Sequence, residues 1–123
     1  MAERNLRELT LNFAINVLQQ CETVTSHYSL IKQLERSATS IGANVREANY
    51  AQSNADFVSK LKIALKECYE TDYWLELFEK ANMLAFESVQ TLLKDNSRIR
   101  RMLISAIGKA NQQDMKEESG EEP

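Results

Sequence analysis

The 123-residue chain contains a single proline, and it is the last residue, Pro123. Because proline is the residue that most strongly interrupts helices, nothing before that position prevents long helical segments. Only three glycines occur, and hydrophobic residues make up 43% of the chain. A chain of this length and composition can bury one core without disulfides or a structural metal. The sequence therefore predicts a single all-α domain.

Four segments place apolar residues at the spacing of one helix face. We expect helix A at about residues 3–24, helix B at about 29–51, helix C at about 54–81 and helix D at about 85–111. In helix B the apolar positions are spaced four, three, four and three, as in the seam of a bundle: Leu34, Ala38, Ile41, Val45 and Ala48. Short connections between long helices favour antiparallel neighbours, so the expected fold is an up-down four-helix bundle.

Charge divides the chain into two unequal parts. Residues 112–123 hold five acidic residues and one lysine and carry a charge of −4, so residues 1–111 carry +1 of the net −3. With Met115 as its only large apolar side chain, the C-terminal segment buries too little surface to order itself. We therefore predict a bundle domain over 1–111 and a disordered acidic tail over 112–123. No apolar stretch suits a leader or a membrane span, which predicts a cytoplasmic protein.

The side chains that usually perform catalysis or hold metals are sparse. The only histidine, His27, falls in the predicted connection between helices A and B, and no glutamate precedes it by three residues. The two cysteines, Cys21 and Cys68, lie among apolar neighbours, as packing residues do. No phosphate-binding loop or nucleophile motif occurs. We expect no enzymatic activity, no cofactor and no metal site.

Two helices are apolar on a second face as well as on the face that a bundle core needs. On helix C the second stripe lies roughly opposite the core positions, and helix A has a similar stripe. The residues are Ile63, Trp74 and Leu77 on helix C, and Leu11, Ile15 and Leu18 on helix A. Because one core cannot bury both sides, an interface between subunits is one explanation. The alternative is a wide core-facing arc with scattered exposed apolar groups.

Charged and polar residues lie in or beside the second stripe of helix C. Glu67 and Glu70 would need cationic or hydrogen-bonding partners at an interface, because an unpaired buried charge is costly. Arg36, Arg46 and Asn44 of helix B are candidate partners, and Arg36 and Asn44 join the predicted oligomer interface. A polar stripe on helix B is also compatible with a simple solvated face.

Helix D carries a row of cations opposite its apolar seam: Lys94, Arg98, Arg101 and Lys109. Cations at helical spacing suit a row of phosphates, so this stripe is the candidate nucleic-acid-binding surface. No aromatic residue interleaves with it to stack bases. The alternative is again a solvated helix face.

Three stretches of helices B and C resemble a known family. They read R-S-A-T-S-I-G-A-N-V-R-E-A from Arg36, D-F-V-S-K-L-K-I-A-L-K-E-C from Asp56 and E-T-D-Y-W-L-E-L from Glu70. Over residues 6–111 the chain resembles the family named four helix bundle protein, which includes proteins encoded by intervening sequences in 23S ribosomal RNA genes. It is also similar to the accessory variability protein of diversity-generating retroelements. The matching positions are Arg36, Ser40, Ile41, Asn44, Glu47, Ala48, Ser53, Asp56, Phe57, Leu61, Ala64, Glu70 and Leu75.

The resemblance implies a homopentameric barrel in which each subunit is one bundle. For the retroelement relative it further implies binding to a reverse transcriptase, and to nucleic acid through a basic surface. Two functions remain open. One is a non-enzymatic homo-oligomeric module that binds RNA or DNA through the cations of helix D. The other is a protein-only scaffold that docks a partner such as a reverse transcriptase without binding nucleic acid.

Overall fold

The computed structural model describes residues 2–120, with side chains described from Leu6 to Lys116. It contains four α-helices and, within the described residues, no strand: α1 (Ala2–Cys21), α2 (Tyr28–Ala48), α3 (Asn54–Lys80) and α4 (Phe86–Ser119). These helices correspond to the predicted helices A to D, which confirms the all-α four-helix bundle. None of the described helices combines the length and the hydropathy needed to cross a membrane.

The helices form a closed ring. Each packs against its neighbours in sequence, and α1 also packs against α4. The direction of α3 and α4 is visible in one hydrogen bond, in which Nδ2 of Asn54 at the start of α3 donates to the carbonyl oxygen of Ala110, late in α4, at 2.9 Å. Neighbouring helices are thus antiparallel, as short connections require.

The ends of α3 have clear local causes. At its start, the hydroxyl of Ser53 accepts a hydrogen bond from the backbone nitrogen of Asp56 at 3.0 Å, which satisfies one of the free donors of the first turn. At its end, Asn82 adopts a left-handed conformation with φ 59°. The backbone nitrogen of Met83 then donates to the oxygen of Phe78 at 2.8 Å. This is a Schellman arrangement, and asparagine tolerates the positive φ that it needs.

The core follows the predicted seams of all four helices. Its largest fully buried side chains are Phe13, Phe78, Leu6, Leu34, Ile41, Leu61, Leu75, Ile99, Leu103, Val17, Val45 and Val89. The periodicity of helix D predicts a seam from which the structure differs in detail: Ala85, Val89, Leu92, Ile99, Leu103 and Ala106. Ala85 is exposed because α4 begins after it, whereas Ile107 and Ala110 are buried and extend the seam.

Helix α4 continues to Ser119, so the predicted end of helix D at about residue 111 is wrong. Residues 111–119 contain no glycine or proline and are mostly good helix formers, and the left-handed Gly120 with φ 76° follows them. Among the described side chains, however, the last buried one is Ala110. The division into a bundle over 1–111 and a disordered tail over 112–123 stays a prediction, and residues 121–123 lie outside the described residues.

Candidate interaction surfaces

Arg36 and two glutamates form a clamp on the outer side of the α2–α3 contact. Nη1 of Arg36 donates to Oε2 of Glu67 at 3.3 Å, and Nη2 of Arg36 donates to Oε2 of Glu70. The same Glu70 oxygen accepts a hydrogen bond from Nε1 of Trp74 at 3.0 Å. Two of the predicted interface residues of α3 are therefore paired with Arg36 of the same chain.

These contacts change the acid–base behaviour of both partners. The hydrogen bond from Trp74, followed by the bond and charge of Arg36, holds the pKa of Glu70 below its ordinary value of 4.5, against an opposing effect of burial. The hydrogen bonds to Glu70 and then to Glu67 raise the pKa of Arg36. Each side chain stabilises the charged form of the other.

One oxygen of the clamp has no donor. Oε1 of Glu67 is buried and lacks a hydrogen-bond partner among the described residues. Asn44, predicted to help pair these glutamates, instead donates to the carbonyl oxygen of Ser40 on its own helix at 2.8 Å. Because a buried carboxylate oxygen without a donor loses hydration without compensation, Glu67 is the least well satisfied member of the clamp.

Apolar side chains continue the same surface along α3. Ile63 is 40% exposed, and Trp74 and Leu77 are half-buried. Trp74 packs partly against the core, so the second stripe is not wholly separate from the first. We name Arg36, Glu67, Glu70, Trp74, Ile63 and Leu77 the clamp surface.

The apolar stripe of α1 lies on the outside of the bundle. Leu11, Ile15 and Leu18 are 51%, 42% and 38% exposed. In the helix, spacings of four and three residues bring these side chains into one row, directed away from the buried Phe13 and Val17. The bundle core does not cover this row, which we name the α1 stripe.

The cations of α4 are placed as predicted. Lys94, Arg98, Arg101 and Lys109 are all exposed, with Ser105 among them, and no ion pair within 4 Å engages any of the four in the described part of the chain. Glu87 shares this side of the helix, about two turns before the row begins. We name the four cations the α4 stripe.

A buried polar network between α3 and α4 was not predicted. Nδ2 of Asn96, on α4, donates to the carbonyl oxygen of Cys68 at 2.8 Å and to Oδ1 of Asp72 at 2.7 Å. Nη1 of Arg100 donates to Oδ2 of Asp72 at 2.6 Å. The signal for it was a polar residue, Asn96, in the apolar seam of helix D between Leu92 and Ile99.

The residues that most often perform catalysis are poorly placed for it. His27 is exposed beside the start of α2. Burial raises the pKa of the Cys21 thiol to about 11 and that of the Cys68 thiol to about 12, with nearby carboxylates adding to the effect. Both thiols are therefore protonated near neutral pH and weak as nucleophiles. Among the described side chains, no group of three or more His, Cys, Asp or Glu is arranged to hold a metal.

Comparison with known proteins places the chain in a family. No curated protein matches it. A family model described as 23S rRNA-intervening sequence protein matches residues 5–105. The chain is also similar to a protein of unknown function from the S23 ribosomal protein family of Bacteroides thetaiotaomicron, known from a crystal structure at 1.70 Å resolution. The two are 40% identical, the match covers 88% of this chain and 99% of the other, and the TM-score is 0.83. The chain therefore belongs to the family of 23S rRNA-intervening sequence proteins.

Proposed function

We propose that this protein is a non-enzymatic homo-oligomeric module that binds nucleic acid through the α4 stripe. The observation that carries the binding part is the set of four exposed cations along one helix that have no ion-pair partner among the described side chains. The exposed histidine and the two buried thiols with raised pKa support a binding role over a catalytic one. The expected cytoplasmic location stays a prediction.

Two different surfaces support assembly. The α1 stripe and the clamp surface both expose apolar groups, and the clamp surface also holds the unpaired Oε1 of Glu67. Because they lie on different helices, contact between one surface and the other on the next subunit would be heterologous. Heterologous contacts close into rings when the rotation permits. The family resemblance implies five subunits, so we propose a pentamer.

Assembly would strengthen weak nucleic-acid binding. In the ring of helices α4 lies diagonally across from α2, so contacts made through α1, α2 and the adjoining side of α3 leave its outer face free. Closed symmetry would then repeat the stripe around the oligomer. Linked sites bind one strand with an avidity that exceeds single-site affinity by a factor on the order of 10² or more.

The proposal is tested by charge reversal on the stripe. The double variant Arg98→Glu, Arg101→Glu should lose retention of RNA and DNA at roughly 50 mM salt, with unchanged helicity and mass, because phosphate contacts supply most non-specific affinity. A matched control is Lys32→Glu, Arg46→Glu, which makes the same change in net charge at two exposed positions of α2. Wild-type binding should weaken steeply as salt rises.

The competing function is a protein-only scaffold, in which the same apolar surfaces dock a partner protein such as a reverse transcriptase. Its support is the net charge of −3 for the whole chain and the large exposed apolar area of α1. Absence of wild-type binding to single- and double-stranded RNA and DNA at low salt would reject the nucleic-acid proposal. Binding equally weakened by both double variants would show that net charge, and not the α4 stripe, governs it.

A further inference from the structure

The outer face of α3 carries two cations followed by two aromatic rings. Lys62, Lys66, Tyr69 and Tyr73 follow one another at spacings of four, three and four residues, which places them in one row along the helix. Tyr69 is 54% exposed and Tyr73 is 59% exposed, and both lysines are exposed. We name these four residues the lysine–tyrosine row.

A neighbouring cation holds the ring of Tyr69. The guanidinium carbon of Arg100 lies 5.4 Å from the ring centroid, within the range of a cation–π contact. Arg100 is itself fixed, since Nη1 donates to Asp72 at 2.6 Å and Nη2 to the hydroxyl of Ser97 at 3.3 Å. The ring of Tyr69 is therefore supported from α4.

A second set of contacts holds the ring of Tyr73. Its centroid lies 5.0 Å from that of Trp74, with an angle of 73° between the ring planes, which is the edge-to-face arrangement that aromatic pairs prefer. Trp74 in turn donates to Glu70 at 3.0 Å, and Glu70 is paired with Arg36. Because both exposed rings are braced, a ligand that stacks on them loses little conformational entropy of the protein.

The charge around the rings is mixed. Lys62 and Lys66 have no ion pair within 4 Å in the described residues. Of the carboxylates beside the rings, Asp72 and Glu70 are engaged by Arg100 and Arg36. Glu76, three residues after Tyr73, is exposed and has no ion pair in the described residues. Phosphates would thus meet two free ammonium groups in the first half of the row.

We propose that the lysine–tyrosine row binds single-stranded nucleic acid, with bases stacked on Tyr69 and Tyr73 and phosphates held by Lys62 and Lys66. The inference rests on the nucleic-acid function proposed above and adds to it a second surface and a class of ligand. Exposed aromatic rings beside cations are the usual means of binding single strands, and stacking accepts any base.

The spacing of the rings favours a single strand over a duplex. Tyr69 and Tyr73 are four residues apart, which is about 6 Å along a helix axis. Successive bases in one strand of a duplex are about 3.4 Å apart and stack on each other. Two neighbouring bases can reach both rings only if they separate, as they do in an extended single strand. An anionic membrane would require apolar side chains that enter its hydrocarbon, and the row has none.

The test compares ring removal with ring retention. In the intact protein, Tyr69→Ala, Tyr73→Ala should weaken binding of a labelled oligothymidylate by about tenfold or more, because each stacked base contributes substantially to affinity. Binding of a DNA duplex of equal length should change little. Tyr69→Phe, Tyr73→Phe keeps both rings and should bind like the wild type. Tyr28→Ala, Tyr50→Ala removes two other exposed tyrosines and should have no effect.

The outcomes separate this inference from the function proposed for α4. If single-strand binding depends on Arg98 and Arg101 but survives removal of both rings, the α4 proposal stands and this inference is rejected. If single-strand binding depends on the two rings and not on Arg98 and Arg101, this inference stands and the α4 proposal is rejected. Equal loss for single strand and duplex would reject the stacking role, and absence of any binding by the wild type would reject both. Binding only to anionic phosphatidylserine vesicles, lost with the rings, would also overturn the inference and assign the row to a membrane.

Discussion

Glu70 is the residue in which the contacts of the clamp surface converge. It accepts hydrogen bonds from Trp74 and Arg36, and these lower its pKa from the ordinary value of 4.5. The folded protein therefore binds a proton at this site more weakly than the unfolded chain does. The resulting stability is fully present above about pH 4.5 and is lost as pH falls through the lower folded pKa.

This pH dependence predicts how Glu70→Gln changes the stability of the protein. At pH 7 the variant should be less stable than the wild type, by about 1 kcal/mol or less because the pair is largely exposed to solvent. Near pH 3 the difference should be smaller, because below about pH 4.5 the unfolded wild-type chain takes up a proton at this site that the folded protein binds more weakly. Urea unfolding at both pH values and equal protein concentration measures it.

A second glutamate of α3 provides the control for that measurement. Glu76 is exposed and has no ion pair in the described residues, so Glu76→Gln should alter stability little at either pH. If Glu70→Gln were equally destabilising at pH 7 and pH 3, the loss would come from the neutral hydrogen bond or from packing, and the contribution assigned to charge would be wrong.

At the scale of the helices, the sequence predicted the buried and exposed faces, which depend on periodicity. It did not predict contacts that depend on the axial position of one helix relative to another. The seams of α2 and α3 and the exposed α4 stripe follow from positions around one helix. The contact of Asn96 with Asp72 depends on the axial position of α4 relative to α3, which the periodicity of a single helix does not determine. The length of α4 differs from the prediction for another reason, because Gly108 and the polar segment after it weaken the apolar pattern without ending the helix.

Two glycines within helices are suited to a paired test of helix packing. Gly108 lies in α4, and a methyl group there would meet no atom within 4 Å. Gly42 lies in α2, where the added carbon would come 3.2 Å from Oγ1 and 3.3 Å from Cβ of Thr10 in α1. Thr10 is buried, and its hydroxyl donates to the carbonyl oxygen of Leu6 at 2.6 Å, so it has little room to move. Gly42 therefore permits the close approach of α1 and α2.

We expect the two alanine variants to differ in sign. Gly108→Ala should stabilise the protein by about 0.5–1 kcal/mol, because glycine in a helix interior loses more backbone entropy than alanine. Gly42→Ala has the same advantage but also overpacks the contact with Thr10, which costs about 1–3 kcal/mol. It should be neutral or destabilising. Thermal unfolding of both variants measures this, and equal stabilisation of both would show that α1 and α2 are not held closely at Gly42.

At the scale of the whole molecule, the proposed surfaces are distributed around the bundle. The α1 stripe and the clamp surface involve α1, α2 and the adjoining side of α3, whereas the α4 stripe and the lysine–tyrosine row face outward from α4 and α3. Trp74 and Tyr73 are about 100° apart around the axis of α3, so one can be covered while the other stays open. The lysine–tyrosine row borders the clamp surface, since the Tyr73 and Trp74 rings are in contact, whereas the α4 stripe lies away from both proposed assembly surfaces.

The assembly prediction is tested at Trp74. The wild type should scatter light as a multiple of the 14.1 kDa chain, roughly 70 kDa if five subunits form the closed ring. Trp74→Glu should lower that mass, because it adds a third carboxylate beside Glu67 and Glu70 and removes an aromatic anchor. Since Trp74 also packs against the core, Ile63→Glu serves as a second variant at a side chain that is 40% exposed. Tyr28→Glu, at an exposed aromatic position beside the α1–α2 connection, should leave the mass unchanged.

A 14.1 kDa wild-type particle at micromolar concentration would contradict assembly itself. Unchanged mass in both interface variants, with helicity retained, would move the contact away from α3.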